Sequence, residues 1–300
     1  MRQGFWMQSK IILHDIEIEV PAGTVLGLVG PNGAGKTTTI KMGAGLLEPA
    51  SGRVLVNGHP ASDLRSRSKL GFLTETQYIY PHLRLKEWLV MLAGFSGLSR
   101  RDAMDRSEKI LEMVELSDRK NQAMRTLSKG QLQRSGLAQA MIHEPEILLL
   151  DEPMSGLDPY WRYRVQKILG DFKVGGGTVL FSSHILYDVE RFSDQVALID
   201  GGRVRWSGSL NGLARKIKGY EIICRSSNPD ILQKFTSEEE LVRQSENDWR
   251  FSIGTEQKED ILRLASDGEF EILALRPIQE EIEELLFGFN KQTQPNGMEN

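Results

Sequence analysis

Cysteine occurs once in the 300 residues, at Cys224, which excludes an internal disulfide framework and suits a reducing compartment. No run of 18 or more apolar residues is present, so nothing in the sequence reads as a membrane-crossing helix. The first 20 residues lack the basic-then-apolar layout of a signal peptide, and a cytoplasmic location is the expectation. Neither a solenoid-length repeat nor a long heptad pattern is visible. The cations are scattered along the chain rather than gathered, which argues against a nucleic-acid partner. Net charge is only −4, yet it is unevenly held: residues 1–218 carry 29 basic and 23 acidic side chains, residues 219–300 carry 8 and 18. That shift in character sets a domain boundary near 218, with one large domain before it and a smaller one at 219–289.

The sequence is rich in phosphate-binding chemistry. A glycine-rich loop, Gly30, Pro31, Asn32, Gly33, Ala34 and Gly35, is followed by Lys36, Thr37 and Thr38. It lies between a predicted strand, Thr24–Val29, and a predicted helix from Lys36 to about Leu47. In that setting backbone N–H groups turn inward on a nucleotide's phosphates, aided by the helix dipole, and Lys36 reaches the β- and γ-oxygens. Thr37 offers a hydroxyl to Mg²⁺. Far downstream the apolar run Ile147–Leu150 reads as a buried parallel strand ending in Asp151 and Glu152. Ligands of open α/β sheets bind beyond the carboxyl ends of the strands, so these two carboxylates are expected beside the phosphates. Asp151 is the expected magnesium ligand, through water, and Glu152 the group that polarises the attacking water.

Together these residues resemble the ATP-binding-cassette (ABC) ATPases over roughly residues 10–215. Leu127-Ser-Lys-Gly-Gln131-Leu-Gln-Arg134 is similar to the family signature L-S-G-G-Q-x-Q-R, with Lys129 in place of the first glycine. Ser155-Gly-Leu-Asp158 is similar to its D-loop, and Ser183-His184, after a predicted strand Thr178–Ser182, to its switch histidine. The resemblance implies an α/β fold of the P-loop NTPase type, a mixed sheet core with a helical subdomain at about 76–140, followed by a small C-terminal α+β domain. It implies ATP and Mg²⁺ as ligands and a head-to-tail pair of cassettes, here a homodimer. In that pair Ser128, Gly130, Gln131 and Asp158 act in trans on the partner's nucleotide, and His184 contacts the γ-phosphate. A serine and glycine opening a helix are also an anion-binding start in their own right. For Lys129 a solvated side chain is expected.

Two positions depart from the family pattern. The glutamine of the Q-loop is replaced by Glu75, which can accept from a magnesium-bound water, with Gln77 as the rival assignment. The family also opens with an extra strand and an aromatic ring that stacks on adenine. Trp6 or Phe5 could supply the ring, although Met7 occupies the aligned position.

Helical periodicity at Lys86–Phe95 and Arg101–Leu116 fits the helical subdomain. Between it and the Q-loop, Tyr78-Ile-Tyr-Pro-His-Leu83 is either internal packing or the place where a membrane partner's coupling helix docks. Tyr160, Trp161 and Tyr163 are read as helix-packing aromatics. The tail reads as strand Tyr220–Arg225, helix Pro229–Phe235, strand Trp249–Ile253, helix Glu256–Ser266, strand Phe270–Leu275 and helix Gln279–Phe287, with a disordered end at 290–300. It resembles the extension of cassettes that serve multidrug and antibiotic-resistance exporters. The resulting expectation is an ATPase subunit of an exporter, held at the inner face of the membrane by a separate integral membrane permease. The alternatives are an importer subunit or a cassette without a transport role.

Overall fold

The computed structural model describes residues 11–77, 79–209, 217–237 and 240–279. The chain divides into two compact units, Met1–Gly212 and Leu213–Asn300.

The first unit is built on a sheet ordered β4-β5-β6-β1-β7-β8. Its strands are β1 (Val25–Val29), β4 (Leu70–Leu73), β5 (Ile147–Leu150), β6 (Thr178–Ser183), β7 (Gln195–Asp200) and β8 (Arg203–Gly208). All pair in parallel except β8, which runs antiparallel to β7. The central strands are buried because both faces are covered: every residue of β1 and β6 is buried, including the polar Thr178, Ser182 and Ser183 of β6. At the edge, β8 alternates exposed and half-buried positions, as a strand covered on one face does. A separate hairpin joins β2 (Leu55–Val56) to β3 (His59–Pro60).

Helix α1 (Lys36–Gly43) stops short of the predicted Leu47. Gly45, with φ of 66°, lets its own N–H bond Met42 O and that of Leu46 bond Lys41 O, the double closure of a Schellman motif. After the short α2 (Leu64–Arg67) come α3 (Leu85–Phe95) and α4 (Arg100–Met113). The latter ends before Leu116 through the same closure around Glu115. Their buried residues Leu85, Trp88, Leu89, Ile110 and Leu111, with Val114, Leu116 and Met124 of the following turns, form the core of a helical layer. Helix α5 (Lys129–Met141) starts directly after Ser128, which caps it. It lies directly on β4: a Cβ on Gly136 would come within 2.6 Å of Leu73 Cδ1. Helices α6 (Pro159–Val174) and α7 (Leu186–Phe192) complete the unit.

The second unit contains a four-stranded sheet ordered β10-β11-β9-β12. Its strands are β9 (Ile217–Arg225), β10 (Val242–Arg243), β11 (Asp248–Gly254) and β12 (Glu271–Gln279). Alternate residues Tyr220, Ile222 and Cys224 face a core with Phe251, Ile253, Leu232, Phe270 and Ile261, the last from α8 (Lys258–Ser266). Strand β9 already begins at Ile217, so the change in charge near 218 falls inside it rather than between domains. The predicted helix Pro229–Phe235 is a 3-10 turn, Pro229–Lys234. The predicted last helix begins at Gln279, which is instead the final residue of β12; residues 280–287 lie outside the described chain. Pro277 is tolerated in β12 because that strand is a sheet edge.

Candidate functional site

The order of the sheet decides what meets at its carboxyl edge. The glycine loop follows β1, His184 follows β6 beside it, and Asp151 and Glu152 follow β5 on the far side of β6. Residues far apart in sequence are therefore held on neighbouring strand ends.

The loop enters α1 through Gly35 in a left-handed conformation with φ of 110°, which a side chain would strain. No side chain caps α1, and the N–H groups of its first turn cannot reach the helix's own carbonyls. They form the cradle that an anion at a helix start requires. Pro31, Asn32 and Gly33 are exposed, Ala34 to Lys36 are buried, and Thr37 and Thr38 are half-buried. Lys36 bends back across the loop, donating to Gly30 O at 2.7 Å and Pro31 O at 3.2 Å, and its Nζ lies 3.8 Å from Glu152 Oε1.

Glu152 is buried to 8% exposure, and its other carboxylate oxygen is 2.8 Å from His184 Nδ1. Its backbone is left-handed, φ 51°, a conformation that costs a non-glycine residue roughly 1–2 kcal/mol. Two buried side chains hold it there. Ser182 Oγ accepts the Glu152 N–H at 2.9 Å while donating to Asp151 Oδ1 at 2.7 Å. Gln133 Nε2, from α5, donates to Glu152 O at 3.0 Å. Gln133 lies in the signature-like stretch 127–134, but neither its contact nor that of Ser182 is visible in the sequence, since each partner lies far away along the chain. Asp188 on α7 is a further buried neighbour. Burial pushes its carboxyl up, against the pull of Arg162 at 3.4 Å and with added repulsion from Glu152.

Other sequence candidates lie apart from this cluster. Glu75 is exposed, just past the end of β4, and makes no hydrogen bond or ion pair among the described residues. Gln77 donates to Thr74 O at 2.7 Å and packs over Gly136 of α5. Ser128 and Gln131 form a reciprocal capping box at the exposed start of α5. Gly130 beside them has room for a side chain, whose Cβ would meet only Leu157 Cδ2 at 3.6 Å and Gly156 O at 3.8 Å. A helical glycine that internal packing does not require costs about 1 kcal/mol and leaves the helix start open to an approaching group. Lys129 is exposed, but its stem lies along Gly156. Asp158 caps α6, accepting the Trp161 N–H at 2.8 Å. Trp161 is buried with Arg134 stacked 3.9 Å from its ring centre; Tyr160 is exposed but packs edge-on against it at 5.8 Å, and Tyr163 is exposed. Trp6, Phe5 and Met7 lie outside the described residues.

The family model described as "ABC transporter" matches residues 13–155. An ABC transporter ATP-binding protein of Nostoc sp. is 39% identical over 255 residues, covering 84% of this chain and 76% of that protein. The chain belongs to the ABC transporter family. A Nod factor export ATP-binding protein of Cupriavidus metallidurans is 32% identical to this ABC protein, over 78% of the chain and 75% of that relative. A dimeric ATP-binding cassette, solved in a post-hydrolysis state with ADP and Pi, superposes with a TM-score of 0.65 at 26% identity, over 70% of this chain and 96% of that one. As a member of this family the protein is an ATPase, the ATP-binding subunit of a transporter. Among the described residues no helix is long and apolar enough to cross a membrane.

Proposed function

We propose that this cassette drives an exporter, with two copies closing on ATP and pulling on separate integral membrane permease chains at the cytoplasmic face. The relative named for export supports the direction, and the open helix start at Gly130 supports a nucleotide brought by a second copy. The exposed turn at Tyr80, Pro81 and His82 offers a surface for the permease.

The observation that carries the chemistry is the buried Glu152 carboxylate, in reach of Lys36 on one side and His184 on the other. Glu152 takes the proton from the attacking water, and His184 orients the carboxylate and meets the γ-phosphate. Lys36 exchanges its loop carbonyls for phosphate oxygens. Asp151 and the Thr37 hydroxyl would hold Mg²⁺, whose charge would offset that of the phosphates. The donor set suits a hard cation: Ser182 bonds Oδ1 of Asp151, which leaves the second carboxylate oxygen for the ion. Glu75, the unbonded member of the Glu75 and Gln77 pair, completes the edge. Replacing Glu152 by Gln should leave ATP binding intact and lower steady-state phosphate release by about 100-fold or more, the range of a lost general base. Unchanged turnover would refute the assignment.

A further inference from the structure

The strained conformation of Glu152 needs support, and the support is unevenly shared between the two sides of the peptide. On the amino side Ser182, from the neighbouring strand β6, is part of the same rigid sheet. On the carbonyl side the Ser155 N–H, 3.1 Å away, belongs to the same turn and moves with it. Gln133, with 5% exposure, is the side chain that ties this peptide to another helix. It sits on α5, whose first turn carries Ser128 and Gly130.

We infer that Gln133 is a positioning residue for Glu152: by gripping the carbonyl of a left-handed peptide it fixes the direction in which the catalytic carboxylate points. The inference rests on the reading of Glu152 as the general base. The helix that begins at the signature serine is then also the helix that aims the base, so displacement of α5 changes the aim of Glu152 without altering the phosphate loop. A carboxylate in contact with His184 at 2.8 Å and 3.8 Å from Lys36 has little tolerance for rotation, and displacements of about 1 Å cost up to about 100-fold in rate.

The test uses the full chain with Gln133→Met, which keeps the length and loses the donor, and Gln133→Glu, which sets a carboxylate against the carbonyl. Both should lower kcat for ATP by about tenfold or more, Gln133→Glu by at least as much as Gln133→Met. KM and nucleotide affinity should stay within about twofold. Because Gln133 acts through Glu152, adding Gln133→Met to Glu152→Gln should not lower the residual rate further. Unchanged kcat in the single variants overturns the inference. So does a parallel loss of nucleotide binding, or a full multiplicative loss in the double variant, since each marks a merely structural role. Where Met at 133 prevents folding, Gln133→Asn keeps the amide one methylene short and carries the same expectation. Glu152→Gln alone tests the reading beneath: normal turnover there removes the base itself, whereas a dead Glu152→Gln with a normal Gln133→Met removes only the positioning role.

Discussion

Ser182 is a small residue on which two functional groups depend. Fully buried at the end of β6, its single hydroxyl serves the Glu152 N–H and the Asp151 carboxylate at once. Ser182→Ala leaves a buried donor unpaired and a buried carboxylate with one partner fewer. The stability cost should be about 2–3 kcal/mol in denaturant unfolding, accompanied by a loss of turnover. A change below about 0.5 kcal/mol would mean that neither bond matters to the fold. At this scale the sequence was legible where chemistry is local. The phosphate loop, Asp151 and Glu152 are marked by neighbours a few residues away. The roles of Ser182 and Gln133 are not, although Gln133 belongs to the signature-like stretch, because they are created by the pairing of β5 with β6 and by the packing of α5.

Among the elements, strand and helix identity followed the hydrophobic pattern while the ends did not. Helices α1 and α4 close early because Gly45 and Glu115 adopt left-handed conformations, which periodicity cannot register. Hairpin strands of two residues, as in β2 and β3, are too short to show alternation at all. Tertiary hydrogen bonds also join elements invisibly. Asp194, between α7 and β7, accepts the Val25 N–H at 2.8 Å and the Lys173 ammonium at 2.6 Å, tying the start of β1 to the end of α6. Partial burial would raise its carboxyl, but these two bonds outweigh it and the net shift is downward. A carboxylate depressed in the folded state stabilises the protein above its unfolded pKa of about 3.9 and loses that contribution as pH falls through the folded value. Both side chains are more than one-third exposed, so solvent screening limits the effect. Asp194→Asn should cost about 1 kcal/mol at pH 7, with the difference from wild type shrinking below about pH 4. A difference independent of pH would assign the loss to packing rather than charge.

For the molecule as a whole, the separation into Met1–Gly212 and Leu213–Asn300 makes a claim about energetics. The first unit has a core of Leu26, Leu28, Ile40, Leu149 and Ile199, and the second a core of Ile222, Cys224, Phe251 and Ile261. The two sets share no residue. Every candidate for ATP chemistry within the described residues lies in the first, whereas the acidic second unit supplies none. Each core belongs to a sheet with helices of its own, so each should unfold cooperatively and on its own account. A chain ending at Gly212 should therefore remain folded and bind ATP within about threefold of the full-length affinity. Calorimetry of the full chain should resolve two transitions, of which the truncated chain keeps one. The retained transition should shift upward with ATP, by the stabilisation that binding to the folded state alone confers, and the other should not move. If the truncated chain fails to fold, or if ATP shifts both transitions together, the second unit contributes to the stability of the cassette, and the two cores form one cooperative system.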